Sequence, residues 1–372
     1  MPSKLALKRL TDSDLTFFKW HFDNHPAGNQ KAINLNKNIL IDQFYPSLPK
    51  IIHQMQGSIT LDLYLYGPGK AGEYNVPRKI QRTRSYKNYR LNGITIPDPD
   101  TDTDRYHQLQ RDDFVLINFE GNVKPESAMA IFVSQAHPED KRLHDTLKNY
   151  IAGKSMISIR YSELGALISQ ANATADHPVN LLLQEELIED AVYGGIEAIK
   201  ALRKGPSKGK ISRKDLENAK RNAESTGRMG EEFVAGYLNG LQAQNKIKDF
   251  TWESDENAIA PYDFEIVQSD DSKAFIDVKS TKGNFANNIH ISFNELLQIR
   301  EGKPYYIYRV FDIEEINASL KIARIEADFA QNIIGVLESL PPGVSTTGIS
   351  LKPDTLAFGN DVVTLTIPED EE

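Results

Sequence analysis

The sequence predicts a multidomain α+β protein, with a β-rich N-terminal region, a helical middle and a C-terminal α/β domain of order α-β-β-β-α-β. Three observations carry this. Strand-like apolar segments, some alternating with period two, populate the first 150 residues and return after residue 249. Between about 140 and 204 the pattern is mostly helical. The segment Lys204-Gly205-Pro206-Ser207-Lys208-Gly209-Lys210 then breaks that pattern and reads as an exposed linker. With 372 residues, 40% of them hydrophobic, the chain is long enough for two or three domains with a sizeable core.

The elements follow in order. Leu15-Thr16-Phe17-Phe18-Lys19-Trp20-His21-Phe22 is amphipathic and predicts a first helix. Residues 59–66 alternate cleanly, and residues 114–119 and 128–133 read as further strands, so residues 1–150 are expected to be β-rich and barrel-like. The Pro/Asp-rich stretch 97–102 is an exposed loop. Helices are expected around 143–151, 162–171 and 179–202, which makes 151–211 a helical region ending in the basic linker. A domain over 212–330 then runs helix 212–241, strands 249–254, 263–268 and 273–280, helix 293–301 and strand 304–312. Residues 331–372 form an extension with a helix, short strands and the acidic tail Glu369-Asp370-Glu371-Glu372.

Composition narrows the function. With no cysteine there is no disulfide and no cysteine metal cluster. No apolar run nears the roughly 18 residues of a membrane span, and the N-terminus lacks the apolar stretch of a signal peptide. A cytoplasmic protein with no membrane contact is expected. The net charge of −9 argues against nucleic acid only globally, because charge is unevenly placed. Arg78, Lys79, Arg82, Arg84, Lys87 and Arg90 lie in thirteen residues without an acid, interleaved with Tyr86 and Tyr89. Cations suit phosphates and tyrosines stack on bases, so these six residues are the expected nucleic-acid contacts. Gly67-Pro68-Gly69-Lys70 and Gly153-Lys154-Ser155 each lack part of a phosphate loop and are expected to be turns. Any ATP-driven step then belongs to a partner.

The chemistry concentrates in two neighbouring strands. In residues 263–268 the even positions are Phe264, Ile266 and Gln268, and in 273–279 they are Ala274, Ile276 and Val278. Burying one face of both strands aligns even with even. A three-residue connection, Ser269-Asp270-Asp271, achieves this and sets Asp263 opposite Asp277. Both carboxylates and Lys279 then share a face, close enough for one hard cation to bridge the acids. Upstream, Glu231 shares a helix face with Val234, Ala235 and Leu238, whereas Glu232 turns to water. A glutamate on the core side of a helix requires a cation or donor.

The order Glu231, Asp263, Asp277-Val278-Lys279 on α-β-β-β-α-β resembles the PD-(D/E)XK nuclease superfamily. Within it, Gly227-x-x-Gly230-Glu231, Tyr262-Asp263, Asp277-Val278-Lys279-Ser280-Thr281 and Ser292-x-Asn294-Glu295 look like the restriction-endonuclease-like, Mrr-type domain named for the C-terminus of the plant protein NO VEIN. The resemblance covers about residues 222–312. Tyr262 precedes the acid and Pro261 lies one earlier, so the literal Pro-Asp dipeptide is absent. The resemblance implies Mg²⁺, with Mn²⁺ as substitute, held by Asp263 and Asp277, completed by Glu231, with Lys279 polarising the attacking water. Asn294-Glu295 is expected to cap the next helix. The implied function is DNA hydrolysis by an endonuclease of restriction or anti-phage defence, with a helicase, ATPase or methyltransferase partner and a homodimer as further expectations. The alternative is a non-catalytic DNA-binding or scaffold subunit. Residues 109–117 also resemble a late strand of pseudobarrel DNA-reading domains, which suits an N-terminal domain that recognises the target or a partner.

Overall fold

The computed structural model describes residues 4–25, 30–82, 88–192, 195–207, 210–257, 259–314 and 316–366. The described residues fall into two compact units, one of residues 4–184 with 202–210, the other of 185–201 with 211–366.

The first unit is built on eight strands: β1 (Leu5–Arg9), β2 (Ala32–Leu35), β3 (Ser58–Tyr66), β4 (Tyr74–Gln81), β5 (Tyr89–Asn92), β6 (Phe114–Glu120), β7 (Ser127–Val133) and β8 (Met156–Ser158). They form one sheet of order β2-β5-β4-β3-β7-β6-β1-β8, in which only β3 and β7 run parallel. β3 alternates as expected, with Ile59, Leu61, Leu63 and Leu65 buried. β6 opens on four apolar residues in a row because both faces are covered there: Val115 and Ile117 join one core, Phe114 and Leu116 the other. The sheet is not a barrel closed by strand pairing. Its end strands do not pair among the described residues, but Asn36, just past β2, donates its side-chain amide to Ser155 Oγ at 3.1 Å beside β8. The sheet is therefore curled until its edges meet through side chains.

Two helical expectations change. Residues 15–22 are not one helix. Asp12–Leu15 and Lys19–Asn24 are separate short helices. Phe17 and Phe18 are both fully buried, and the backbone there pairs with Ile96 instead of continuing a helix: the Ile96 N–H donates to Phe17 O at 2.9 Å and the Lys19 N–H to Ile96 O at 2.7 Å. Residues 179–202 likewise divide into Pro178–Leu183, Gln184–Val192 and Ile196–Lys204, the last of them starting just after Gly195, while Tyr193 and Gly194 lie outside the described residues. Of the linker, Lys208 and Gly209 lie outside the described residues.

The second unit follows the expected order closely. The long helix Arg213–Ala243 leads into β9 (Ile247–Trp252), β10 (Phe264–Gln268), β11 (Lys273–Ser280), β12 (Ile289–Ser292), the helix Phe293–Arg300, β13 (Tyr305–Phe311), β14 (Asn317–Ile325), the helix Ala327–Glu338, β15 (Gly348–Leu351) and β16 (Val363–Thr366). The six-stranded sheet runs β16-β14-β13-β11-β10-β9. β11 and β13 are parallel, so their connection must cross a face of the sheet, and it carries β12 and the helix Phe293–Arg300. Phe233, Val234 and Leu238 of the long helix pack on Phe264, Ile266, Ile276 and Val278. On the opposite face, Leu296, Ile299, Ala330 and Ile334 pack with Phe275, Tyr305 and Ile307. Both faces of β11 are therefore shielded. The face expected to be mostly polar lies partly under helices, and this puts Asp277 and Lys279 largely out of water, while Lys273 at the turn end stays exposed. The chain is a multidomain α+β protein.

Candidate active site

The β10–β11 hairpin has the register that alternation requires. Phe264 pairs with Ile276 and Val267 with Lys273, which places Asp263 across from Asp277 one step beyond the ladder. The turn is the three residues 269–271, closed by Gln268 N–H donating to Ser272 O at 2.8 Å, with Asp271 at φ 63°. Asp263, Asp277 and Lys279 share one face.

Each of the three is held differently. Asp263 Oδ2 accepts the Val278 N–H at 2.6 Å. Asp277 is 4% exposed. Its Oδ2 lies 2.8 Å from Lys279 Nζ, yet the angle falls short of a hydrogen bond, so this buried oxygen has a charge contact and no aligned donor. Lys279 Nζ also donates to Glu295 Oε2 at 3.0 Å. From behind, Arg309, buried and paired with Lys279 across β13, donates to the Lys279 carbonyl at 3.2 Å. Tyr305 Oη donates to Pro261 O at 2.6 Å and Tyr262 stacks on Phe275 at 4.3 Å, which fixes the approach to Asp263.

The electrostatics follow from burial. Burial pushes Asp263 up to about 6, opposed by Lys279 and the Val278 N–H. Burial, then the Glu295 charge, holds Asp277 well above the carboxylate range despite Lys279. For Lys279, burial alone would lower the ammonium, but Asp277 and Glu295 outweigh it and keep it firmly charged. Burial would raise Glu295 too, but Lys279 and Ser292 hold it below its ordinary value. Three carboxylates face one ammonium, and two of them resist ionisation.

Glu231 does not join this face. Its Oε2 accepts Trp252 Nε1 at 2.9 Å and Ser254 Oγ at 2.8 Å. It reaches Asp263 only through Ser254, whose N–H donates to the Asp263 carbonyl at 3.2 Å, and through its charge. Among the described residues no three carboxylates or histidines converge as a metal cage. Of the expected trio, Asp263 and Asp277 lie on the hairpin face, and Glu231 is engaged by Trp252 and Ser254. Glu232 is exposed beside Arg228, as its helix position implied.

Residues 230–323 match the family model "Protein NO VEIN, C-terminal". Neither the curated proteins nor the solved structures contain a match to the chain. The NO VEIN C-terminal match covers about a quarter of the 372 residues and includes Glu231, Asp263, Asp277, Lys279 and Glu295.

Glu295 is the site residue that sequence reasoning did not assign. Its signal was the Ser292-x-x-Glu295 pattern, and the capping box is present: Ser292 Oγ accepts the Glu295 N–H at 3.2 Å and Glu295 Oε2 accepts the Ser292 N–H at 3.0 Å. The cap was legible, but the reach of the same oxygen to Lys279 was not. Asn294, its neighbour, donates to the Ile259 carbonyl at 3.1 Å and ties down the segment before Asp263.

The basic stretch of the first unit is not uniform. Arg78 is 7% exposed. It donates to the Pro77 and Ile94 carbonyls at 2.8 and 2.9 Å and lies 5.3 Å over the Phe17 ring. It is a structural residue, unavailable to phosphate, because its stem and head fill the space between β4 and the 93–96 segment. Lys79 and Arg82 are exposed, Arg82 lying 5.5 Å over Tyr89. Arg90 is half-buried on β5. Arg84 and Lys87 lie outside the described residues. Arg78→Ala is expected to cost about 2 kcal/mol of stability through two orphaned carbonyls and lost packing, without changing DNA affinity. Lys79→Ala and Arg82→Ala are expected to leave melting unchanged and to reduce the salt slope of DNA binding by about one each. Thermal melts and salt-titrated binding separate the two classes. No helix among the described residues is long and apolar enough to cross a membrane.

Proposed function

We propose that the second unit is a divalent-cation-dependent endonuclease that hydrolyses DNA phosphodiester bonds, with Mg²⁺ as the ion and Mn²⁺ as its substitute. The observation that carries this reading is the half-buried Asp263 and the buried Asp277 on one face of the hairpin beside a lysine kept charged. The residues present fit a hard cation. They offer only oxygen ligands, Asp277 Oδ2 is buried with no aligned donor, and the carboxylates outnumber the one ammonium. Mg²⁺ commonly takes one or two carboxylates and completes its shell with water and substrate phosphate, so a third protein carboxylate is not required. Asp263 and Asp277 would hold the ion, and Glu231 would support them from one residue away. Bound there, such an ion neutralises phosphate charge and lowers the pKa of a water.

The chain's own residues do the rest. The Val278 N–H fixes the Asp263 carboxylate through Oδ2. Lys279 supplies positive charge where negative charge develops on the phosphate. The helices over this face keep water sparse, which strengthens each of these interactions. Restriction or anti-phage defence suits such an activity, with Lys79 and Arg82 as phosphate contacts. The test is cleavage of supercoiled plasmid by purified protein with Mg²⁺ or Mn²⁺ against a chelator control. A protein that binds DNA but never cuts it, alone or with a helicase or methyltransferase partner, is a binding subunit instead.

Cation binding is expected to be proton-coupled. Asp263, at about 6, and Asp277, held higher than its ordinary value, keep protons that a cation must displace. Mn²⁺ affinity should therefore rise between pH 5 and pH 7.5. Calorimetry in two buffers of different ionisation heat should show proton release, and equal heats in both buffers would rule the coupling out.

A further inference from the structure

A cation on Asp277 Oδ2 would stand beside the Lys279 ammonium, and the two positive charges repel. That oxygen is the atom in contact with Lys279 Nζ, and it is also the free lone-pair site that a cation would use. When a cation occupies that oxygen, the lysine needs another anchor or its four-carbon stem is free to swing. Glu295 is built to be that anchor. Its backbone N–H is bonded to Ser292 Oγ and its Oε2 takes the Ser292 N–H, so both ends of the side chain are immobilised at the start of the helix. Leu296 and Ile299 bury that helix in the core over β11. The same Oε2 accepts Lys279 Nζ at 3.0 Å, and the two side chains are only 15% and 17% exposed. A cap alone requires no lysine, and capping glutamates ordinarily face water.

We propose that Glu295 is the positioning residue for Lys279: a rigid carboxylate that holds the ammonium over the site when Asp277 turns to a divalent cation. This rests on the endonuclease reading of the same site, and it adds a third carboxylate whose partner is the lysine and not the ion. Glutamine also closes a capping box, so Glu295→Gln keeps the helix start and removes only the charge that holds the lysine.

The experiment has two arms on the full chain. In the first, Glu295→Gln is expected to lower kcat about 10- to 100-fold with KM unchanged, the usual scale for a group acting through another. In a Lys279→Ala background the same substitution should have no further effect, because the two residues then act as one unit. In the second arm, Lys279 is labelled with an amine-selective reagent in the presence of Mn²⁺ and read by mass spectrometry. Lys279 should react several-fold faster in Glu295→Gln than in wild type. Equal labelling rates, or a Glu295→Gln protein that cuts like wild type, overturns the proposal. If wild type does not cut at all, the endonuclease reading falls, and the labelling arm still decides whether Glu295 holds the lysine.

Discussion

Asp277→Asn and Lys279→Ala are each expected to reduce plasmid cleavage at least about a hundred- to a thousandfold while leaving the protein folded. Asparagine matches aspartate in shape, so the loss is one of charge at the oxygen a cation would use. Alanine at 279 removes a cation that two carboxylates hold in place. Asp263→Asn belongs to the same series and adds an independent readout. Burial raises the Asp263 carboxyl from 3.8 to about 6, so its ionisation is harder in the folded state than in the unfolded one. The stability that the protonated group contributes is complete below about pH 4 and is lost as pH rises through 6. Asparagine keeps an acceptor for the Val278 N–H and never ionises. Asp263→Asn should therefore melt higher than wild type at pH 8, by up to about 3 kcal/mol, and close to wild type at pH 3.5. Inactivation with a gain in stability at pH 8 marks a functional carboxylate; inactivation with a loss marks a structural one.

What the sequence disclosed, and what it withheld, divides along a physical line. Strand periodicity is a one-dimensional property, and it set the hairpin: the even positions 264, 266, 276 and 278 are buried against the long helix, and the three-residue turn follows from them. The order of the second unit was legible for the same reason. Three-dimensional approach was not. Glu231 lay on the predicted core side of its helix, but nothing in the spacing showed that Trp252 and Ser254 occupy its carboxylate. Arg78 is indistinguishable by composition from Lys79; on β4 it shares the buried face of Ile80 and packs on Phe17, while Lys79 points to the exposed face. Phe17 and Phe18 broke an amphipathic pattern because both met a core that the local window did not contain. Glu295 was legible as a cap because a cap is local; its contact with Lys279, sixteen residues away, is not.

Gly230 is the position where this division has the largest structural consequence. Alanine is the best helix former and replaces glycine in an open helix interior with a gain of up to about 1 kcal/mol. At Gly227 that gain should appear, because a Cβ there meets nothing within 4 Å. At Gly230 a Cβ would stand 1.7 Å from Ser280 Oγ and 2.7 Å from Ser280 Cβ. Rotating the serine removes the first clash and leaves the second, so the helix or β11 must move. Overpacking of this kind costs about 1–3 kcal/mol, which exceeds the propensity gain. Gly227→Ala and Gly230→Ala are thus expected to shift the denaturation midpoint in opposite directions on the same helix. Ser280→Gly should restore much of the Gly230→Ala loss, since it deletes the atoms being struck. Because Ser280 adjoins Lys279, Gly230→Ala should also depress cleavage beyond its effect on folding. A Gly230→Ala protein as stable as Gly227→Ala would mean that the long helix does not seat on β11 at this point, and the Gly-Glu pair at 230–231 would lose its structural reason.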